Sequence, residues 1–448
     1  MGSIIPLVKA ATLIGASLLL QSATLARADN PIVQTIYTAD PAPIVHDGRL
    51  YVFTGHDEDN SDTFNMLDWR LFSSDDMANW QHHGVVMDLA TFAWADLNAW
   101  AGQVIPRHGK FYFYVPVRRR GGGMAIGVGV SDRIAGPYVD AIGGPLLENA
   151  EIDPTVFIDD DGQAYLYWGN PNLWYVKLNE DMVSYGGDLV QVPLTAEGFG
   201  VREGNPDRPT MYEEGPWLHK RGDTYYLHWA ANCCSEDLRY STGPSATGPW
   251  TYGGLVMATQ GRSFTNHPGV VEYEGQPYLF YHNGALPGGS GYGRSVAVES
   301  FNYGADGSIP ELTMTDAGPE QIKALDPFVR QEAETIAWTE GVETETHSDG
   351  GVYVTDIQDG GYIKVSGVDF GSDGAATFTA SVASENGGGA IEVRLGGVDG
   401  ELVASASVSA TGGSWESVTA PVTGATGLND LYLVFVGGGF DFDWWQFE

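Results

Sequence analysis

Three carboxylates stand at one recurrent place in a repeated sequence: Asp40 in TADPAP, Asp153 in EIDPT and Glu214 in EEGPW. Carboxyl groups gathered in one pocket cannot all ionise freely, so their pKa values are driven apart. One is kept protonated and can give a proton to a leaving oxygen, while another stays ionised and acts on water or on carbon. Cleavage of a glycosidic bond needs that division, so these acids predict acid–base hydrolysis. Asp before Pro is also a common turn starter. Turn formation accounts for Asp40 or Asp153 singly, but not for their shared register with Glu214.

The register comes from five segments of the form Gly-x-x-Tyr followed by an aromatic and aliphatic run: DGRLYVFTGHD, HGKFYFYVPV, DGQAYLYWGN, RGDTYYLHWAAN and EGQPYLFYHNG. Their glycines, Gly48, Gly109, Gly162, Gly222 and Gly275, are 61, 53, 60 and 53 residues apart. Each unit reads as a strand, a turn at the glycine, a second strand around the tyrosine and a third strand, with Gly, Asp and Pro turns between. Repetition at this period predicts an all-β, five-bladed β-propeller with about four strands per blade. A β-sandwich made of the same strands would leave the repeat unexplained.

The innermost strand of each blade lines the channel of a propeller, so equivalent positions converge on the axis. Eight residues before each glycine, nine in the third unit, stand Asp40, Ala101, Asp153, Glu214 and His267. Neighbouring side chains of a strand point to opposite faces, and the register selects Glu214 over its rival Glu213. Trp100, in the blade without a channel acid, has two readings, a platform for a sugar or a core residue.

The chain of 448 residues is 43% apolar and has room for two or three domains. Residues 1–28 read as a secretory signal peptide: Lys9 precedes a short apolar run and Ala26-Arg27-Ala28 ends it as a cleavage site. The expected location is therefore secreted, extracellular or periplasmic. The formal charge of −36, two units more negative without Lys9 and Arg27, repels nucleic acid and anionic membrane. It suits a neutral polysaccharide, and a monomer is expected. The two cysteines, Cys233 and Cys234, are adjacent. They exclude a disulfide-dense scaffold and a four-cysteine zinc site, and leave open a vicinal disulfide or two thiols.

From about residue 330 the composition turns to Gly, Ser, Thr and Val with short alternating strands such as ATFTASVAS and AIEVRLGG. Residues 330–448 therefore read as a separate, jelly-roll-like β-sandwich after a propeller domain at 29–325.

With these residues the chain resembles glycoside hydrolase family 43, five-bladed propellers that cleave arabinofuranosyl and xylosyl linkages with inversion. The resemblance implies Asp40 as general base, Glu214 in its EGP pattern as general acid, and Asp153 as the residue that raises the acid's pKa and orients it. It further implies His267 near the axis, where some relatives hold a metal ion, and Arg294 in GRSVAVE as a clamp on sugar hydroxyls. Catalysis then needs no cofactor. Relatives often carry Ala-Pro after the tryptophan where this chain has Ala101-Gly102, a departure expected to change loop shape. The segments QEAET, DGGYIKVSGVDFG and DFDWWQF resemble family 6 carbohydrate-binding modules, which implies a structural calcium at Glu332, Glu334 and Asp443. Asp356 and Val418 replace aromatics of that family's cleft, leaving Tyr353 and Trp415 as candidate ligand contacts. The expected activity is that of an exo-acting α-L-arabinofuranosidase on arabinoxylan. A β-1,4-xylosidase is the alternative within the class, and a non-catalytic glycan-binding propeller the alternative outside it.

Overall fold

The computed structural model describes residues 26–348 and 350–448, so residues 1–25 of the expected signal peptide lie outside the described residues. Among the described residues the architecture is almost wholly β, with one four-residue helix at Ala196–Phe199 and one 3₁₀ turn at Leu89–Thr91. No helix among the described residues is long and apolar enough to cross a membrane.

Five antiparallel sheets follow one another along the first 300 residues. The first blade is built from Thr38–His46, Arg49–His56, Asp68–Ser74 and Trp80–Asp88. In the second, Ala95–Leu97 and Gln103–Arg107 both pair with Lys110–Arg119, followed by Met124–Ser131 and Val139–Asp140. The third and fourth blades have four strands each, whereas the fifth has three: Gly269–Tyr273, Gln276–Asn283 and Ser295–Ser300. The N-terminal segment completes it. Ile32 N donates to Val296 O at 2.9 Å, and the Asn30 side chain bonds both the N–H and the carbonyl of Val298. That contact ties the start of the propeller to its last blade. Just before it, Ala28 is buried and its N–H donates to Pro319 O.

The repeat glycines are turn residues. In three blades the preceding residue also has a positive φ: 48° and 77° at Asp47-Gly48, 52° and 73° at His108-Gly109, 50° and 77° at Glu274-Gly275. Two consecutive positive φ values make the type I′ turn whose twist matches the flanking strands. The aromatic run after each turn is the middle of its sheet and carries the core, with Phe53, Phe113, Leu166, Leu227 and Phe280 all almost fully buried.

Residues beyond 330 form two packed sheets of a sandwich. Phe378, Phe435, Trp445 and Phe447 fill the space between them. The sandwich is joined to the propeller by main chain: Thr335–Ile336 pairs antiparallel with Trp80 and Gln81, adding a fifth strand to the first blade. Asn79 bonds the N–H and the carbonyl of Ser366, and Lys364 pairs with Asp29 at 2.6 Å.

Candidate active site

A cavity of about 260 Å³ opens at the propeller axis, and Asp40, Ala101, Asp153, Glu214 and His267 all line it. Every blade thus delivers its register residue to one space. The backbone is locally distorted to do so. Asp40 and Asp153 adopt φ of 54° and 60° although each precedes a proline, and Glu214 precedes Gly215 at φ 60°. Positive φ is rare for a non-glycine residue and more so before proline. The strand registers shift between Ala39 and Ala42 and on both sides of Glu214. Such bulges re-aim side chains and cluster at functional sites.

The acids have different surroundings. Asp40 accepts a 3.1 Å hydrogen bond from Arg294 Nη1. Burial alone would raise its pKa, but the Arg294 guanidinium, acting together with the neighbouring His282 and His267, outweighs burial and holds the carboxyl well below the usual carboxylate range. Glu214 moves the other way: burial, then the negative charges of Asp40 and Glu213, push it up to about 7. Its Oε2 accepts from Asn170 Nδ2, the one hydrogen bond that favours its ionised form. Asp153 is also pushed well above its ordinary value, by burial and then by Glu214 and Asp40, while Gly215 N–H donates to its Oδ2 at 3.1 Å. The charges that raise Glu214 belong to Asp40 and Glu213, and Asp153 is itself held towards the neutral acid.

Glu213 faces away from the cavity. It is buried against Arg202 at 2.6 Å and against Arg208, and it accepts the N–H of Cys233. The two neighbouring side chains therefore face different surroundings.

Arg294 is buried and committed. Asp57 binds its Nε and Nη2 at 2.9 Å each and its own N–H at 2.9 Å, leaving Nη1 for Asp40. It lines the cavity, and its principal partners are carboxylates of the protein. Trp100 lines the cavity, packs on the propeller core and donates from Nε1 to Phe64 O. The glycine after Ala101 follows from packing, since a Cβ on Gly102 would stand 2.6 Å from Tyr114 O.

His267 sits over Gly215, and burial depresses its pKa to about 4, so the ring is neutral at physiological pH. It belongs to neither of the two groups of three metal-ligand side chains that converge among the described residues, Cys233–Cys234–Glu236 and His56–Glu58–Asp68. Cys233 and Cys234 are joined as a vicinal disulfide and border the cavity.

Four contributors escaped the sequence reading: Asp57, Asn170, His282 and Glu236. His282 accepts the Asp40 N–H at Nδ1, and its Nε2 lies 3.0 Å from Thr265 O. A carbonyl only accepts, so Nε2 carries the proton and the tautomer is set. Glu236 is buried, accepts Asn266 N–H and keeps Oε1 without a partner among the described residues. Asp57, Asn170 and His282 stand just after or near the end of the second strand of their blades, but six, five and four residues after the repeat tyrosines Tyr51, Tyr165 and Tyr278, so no single repeat position marks them.

In the sandwich, Tyr353 and Trp415 come together with rings 5.4 Å apart, and His347 packs against both. A 740 Å³ hollow surrounds Asp356, with the buried Phe440 as its one aromatic. Of the three expected calcium ligands, Glu334 is buried, its Oε2 has no partner among the described residues, and burial followed by the nearby Glu332 charge raises its pKa well above the ordinary value. Glu332 and Asp443 share Arg330, at 2.8 and 3.9 Å. The oxygen donors and the unsatisfied buried Oε2 of Glu334 suit a hard cation, although the three do not converge to within 4.8 Å of one another.

A propeller whose channel holds carboxyl groups of opposed protonation, followed by a β-sandwich with an exposed aromatic face, is the layout of a modular glycan-cleaving enzyme. Residues 28–309 match Glycosyl hydrolases family 43, and residues 332–448 match Carbohydrate binding module (family 6). The chain belongs to glycoside hydrolase family 43. It is 34% identical to an arabinoxylan arabinofuranohydrolase of Bacillus subtilis (strain 168), over 93% of this chain and 92% of that one. It is 31% identical to xylosidase/arabinosidase 43A of Humicola insolens, over 62% of this chain and 98% of that one. The solved structure of a family 43 arabinoxylan arabinofuranohydrolase from Bacillus subtilis in complex with cellotetraose superposes with a TM-score of 0.80 at 32% identity, covering 95% of this chain and 99% of that one.

Proposed function

We propose that the protein removes single α-L-arabinofuranosyl side chains from arabinoxylan with inversion, and that Asp40 is the base and Glu214 the acid. The carrying observation is the opposed protonation of two carboxyls on one cavity of about 260 Å³, a volume suited to one sugar ring. The ionised Asp40 takes a proton from a water whose oxygen attacks the anomeric carbon. Glu214 gives its proton to the glycosidic oxygen as the carbon–oxygen bond breaks, which frees arabinose and restores a hydroxyl on the xylan. Both carboxyls then exchange protons with solvent for the next turnover. Arg294 and His282 fix Asp40, and Asp153, bonded to Gly215 N–H, orients the strand that carries Glu214.

The relatives that match across both modules are arabinofuranohydrolases, which supports the arabinose reading. The shorter xylosidase/arabinosidase relatives support β-1,4-xylosidase as the second reading. A propeller that only binds glycan has no use for opposed protonation states. Rates on 4-nitrophenyl α-L-arabinofuranoside and β-D-xyloside test the assignment: a faster rate on the first supports it, and no rate on either rejects it.

Three finer readings accompany it. The chain is secreted as a monomer after removal of residues 1–28. Calcium binds the sandwich through Glu332, Glu334 and Asp443 and ties its first strands to its last. The Tyr353–Trp415 face makes the module's weak contact with polysaccharide.

A further inference from the structure

We propose that the cleft between propeller and sandwich is a second glycan site, which holds the xylan main chain outside the catalytic pocket. It rests on the arabinoxylan reading and extends it.

The cleft has a volume of about 710 Å³ and is walled by both modules, within the roughly 300–1,000 Å³ of ligand sites. The catalytic pocket admits the sugar to be removed, so a polymeric substrate needs further surface for the chain that bears it. Three aromatics face the cleft: Tyr37 and Tyr292 from the propeller and Trp338 from the sandwich. The Tyr37 ring lies flat on Gly293, with three ring atoms 3.5 Å from where a Cβ would stand, and its hydroxyl donates to Pro287 O at 2.8 Å. A plate pinned at both its face and its tip loses little entropy when a pyranose ring stacks on it.

The polar lining selects the ligand class. Asp59, Glu340 and Gln358 supply acceptors for sugar hydroxyls, and no Lys, Arg or His lines the cleft among the described residues. Phosphorylated or uronic-acid-rich chains are repelled and neutral chains are not. The cleft also adjoins the catalytic centre. The Tyr292 ring packs 4.9 Å from Phe64 and 5.2 Å from Phe264, and both phenylalanines line the catalytic pocket. One aromatic wall therefore separates the two cavities, and a chain seated in the cleft passes beside the pocket mouth.

The test compares a small and a polymeric substrate on the full-length protein. In Trp338→Ala and Tyr37→Ala, KM for soluble arabinoxylan rises about tenfold while kcat/KM for 4-nitrophenyl α-L-arabinofuranoside is unchanged, and Trp338→Phe restores most of the loss; tenfold corresponds to about 1.4 kcal/mol. An unchanged KM for arabinoxylan, or an equal loss on both substrates that persists in Trp338→Phe, overturns the proposal. Calorimetric binding of unsubstituted xylohexaose to a Glu214→Gln, Trp415→Ala background reads the cleft without any hydrolysis. About tenfold weakening by Trp338→Ala supports the site and no change overturns it, even if the wild type proves inactive on arabinofuranosides and the arabinofuranosidase reading falls.

Discussion

Arg294 donates to Asp40 across 3.1 Å while Asp57 grips the rest of its guanidinium. A buried arginine thereby joins two buried carboxylates, and the charge it supplies, with the neighbouring His282 and His267, keeps Asp40 ionised where burial would otherwise neutralise it. The proposed base owes its readiness to this contact.

Replacing Asp57 with Asn weakens that grip. Asp40 should then rise towards the ordinary carboxylate range, so the acid limb of kcat/KM against pH moves to higher pH. Removing the arginine altogether, as Arg294→Leu, strands two buried charges and is expected to cost about 3–5 kcal/mol in denaturant unfolding.

The alkaline limb reports Glu214. A proton donor at about 7 loses activity as pH rises through that value. Asn170 stabilises the ionised form, so Asn170→Ala should lift the donor's pKa and shift the alkaline limb upward, whereas Asp40→Asn, which removes a raising charge, should lower the donor's pKa in a direct titration.

The neighbouring glutamates should separate cleanly. Glu214→Gln is expected to lose about 10²–10⁴ of kcat on arabinoxylan with its melting temperature retained. Glu213→Gln breaks buried pairs with Arg202 and Arg208, so its main signature is a lower melting temperature. A larger kcat loss in Glu213→Gln than in Glu214→Gln would reverse the assignment.

What the sequence made legible and what it hid follow one rule. Asp40, Ala101, Asp153, Glu214 and His267 were readable because each blade spends the same number of residues between channel and turn, with a single extra residue in the third. The turns themselves were readable as Asp-Gly and His-Gly pairs. Asp57 and His282 were not, because their partners, Arg294 and Asp40, lie more than 200 residues away along the chain. The strand Thr335–Ile336 joins a sheet built from residues 38–88, a pairing that no local pattern encodes. The fourth strand expected in the last blade is missing, and the N-terminal segment closes the ring beside Ser295–Ser300.

Glu334 gives the sandwich a pH and calcium signature. Its folded pKa is raised, so its stabilising share is full below the ordinary carboxylate value of about 4.3 and is lost as pH climbs through the folded value. In chelator, Glu334→Gln should therefore gain stability relative to wild type at pH 8 and little at pH 4. Added calcium should raise the wild-type melting temperature at pH 8 by about 3 °C or more and leave Glu334→Gln unmoved. No calcium shift in the wild type would remove the metal from the account.

The anomeric configuration of the first sugar released tests the central claim most directly. Proton NMR of arabinoxylan followed from the first seconds should show β-L-arabinofuranose appearing before it mutarotates. Initial α-L-arabinofuranose, or xylose in place of arabinose, would contradict the account.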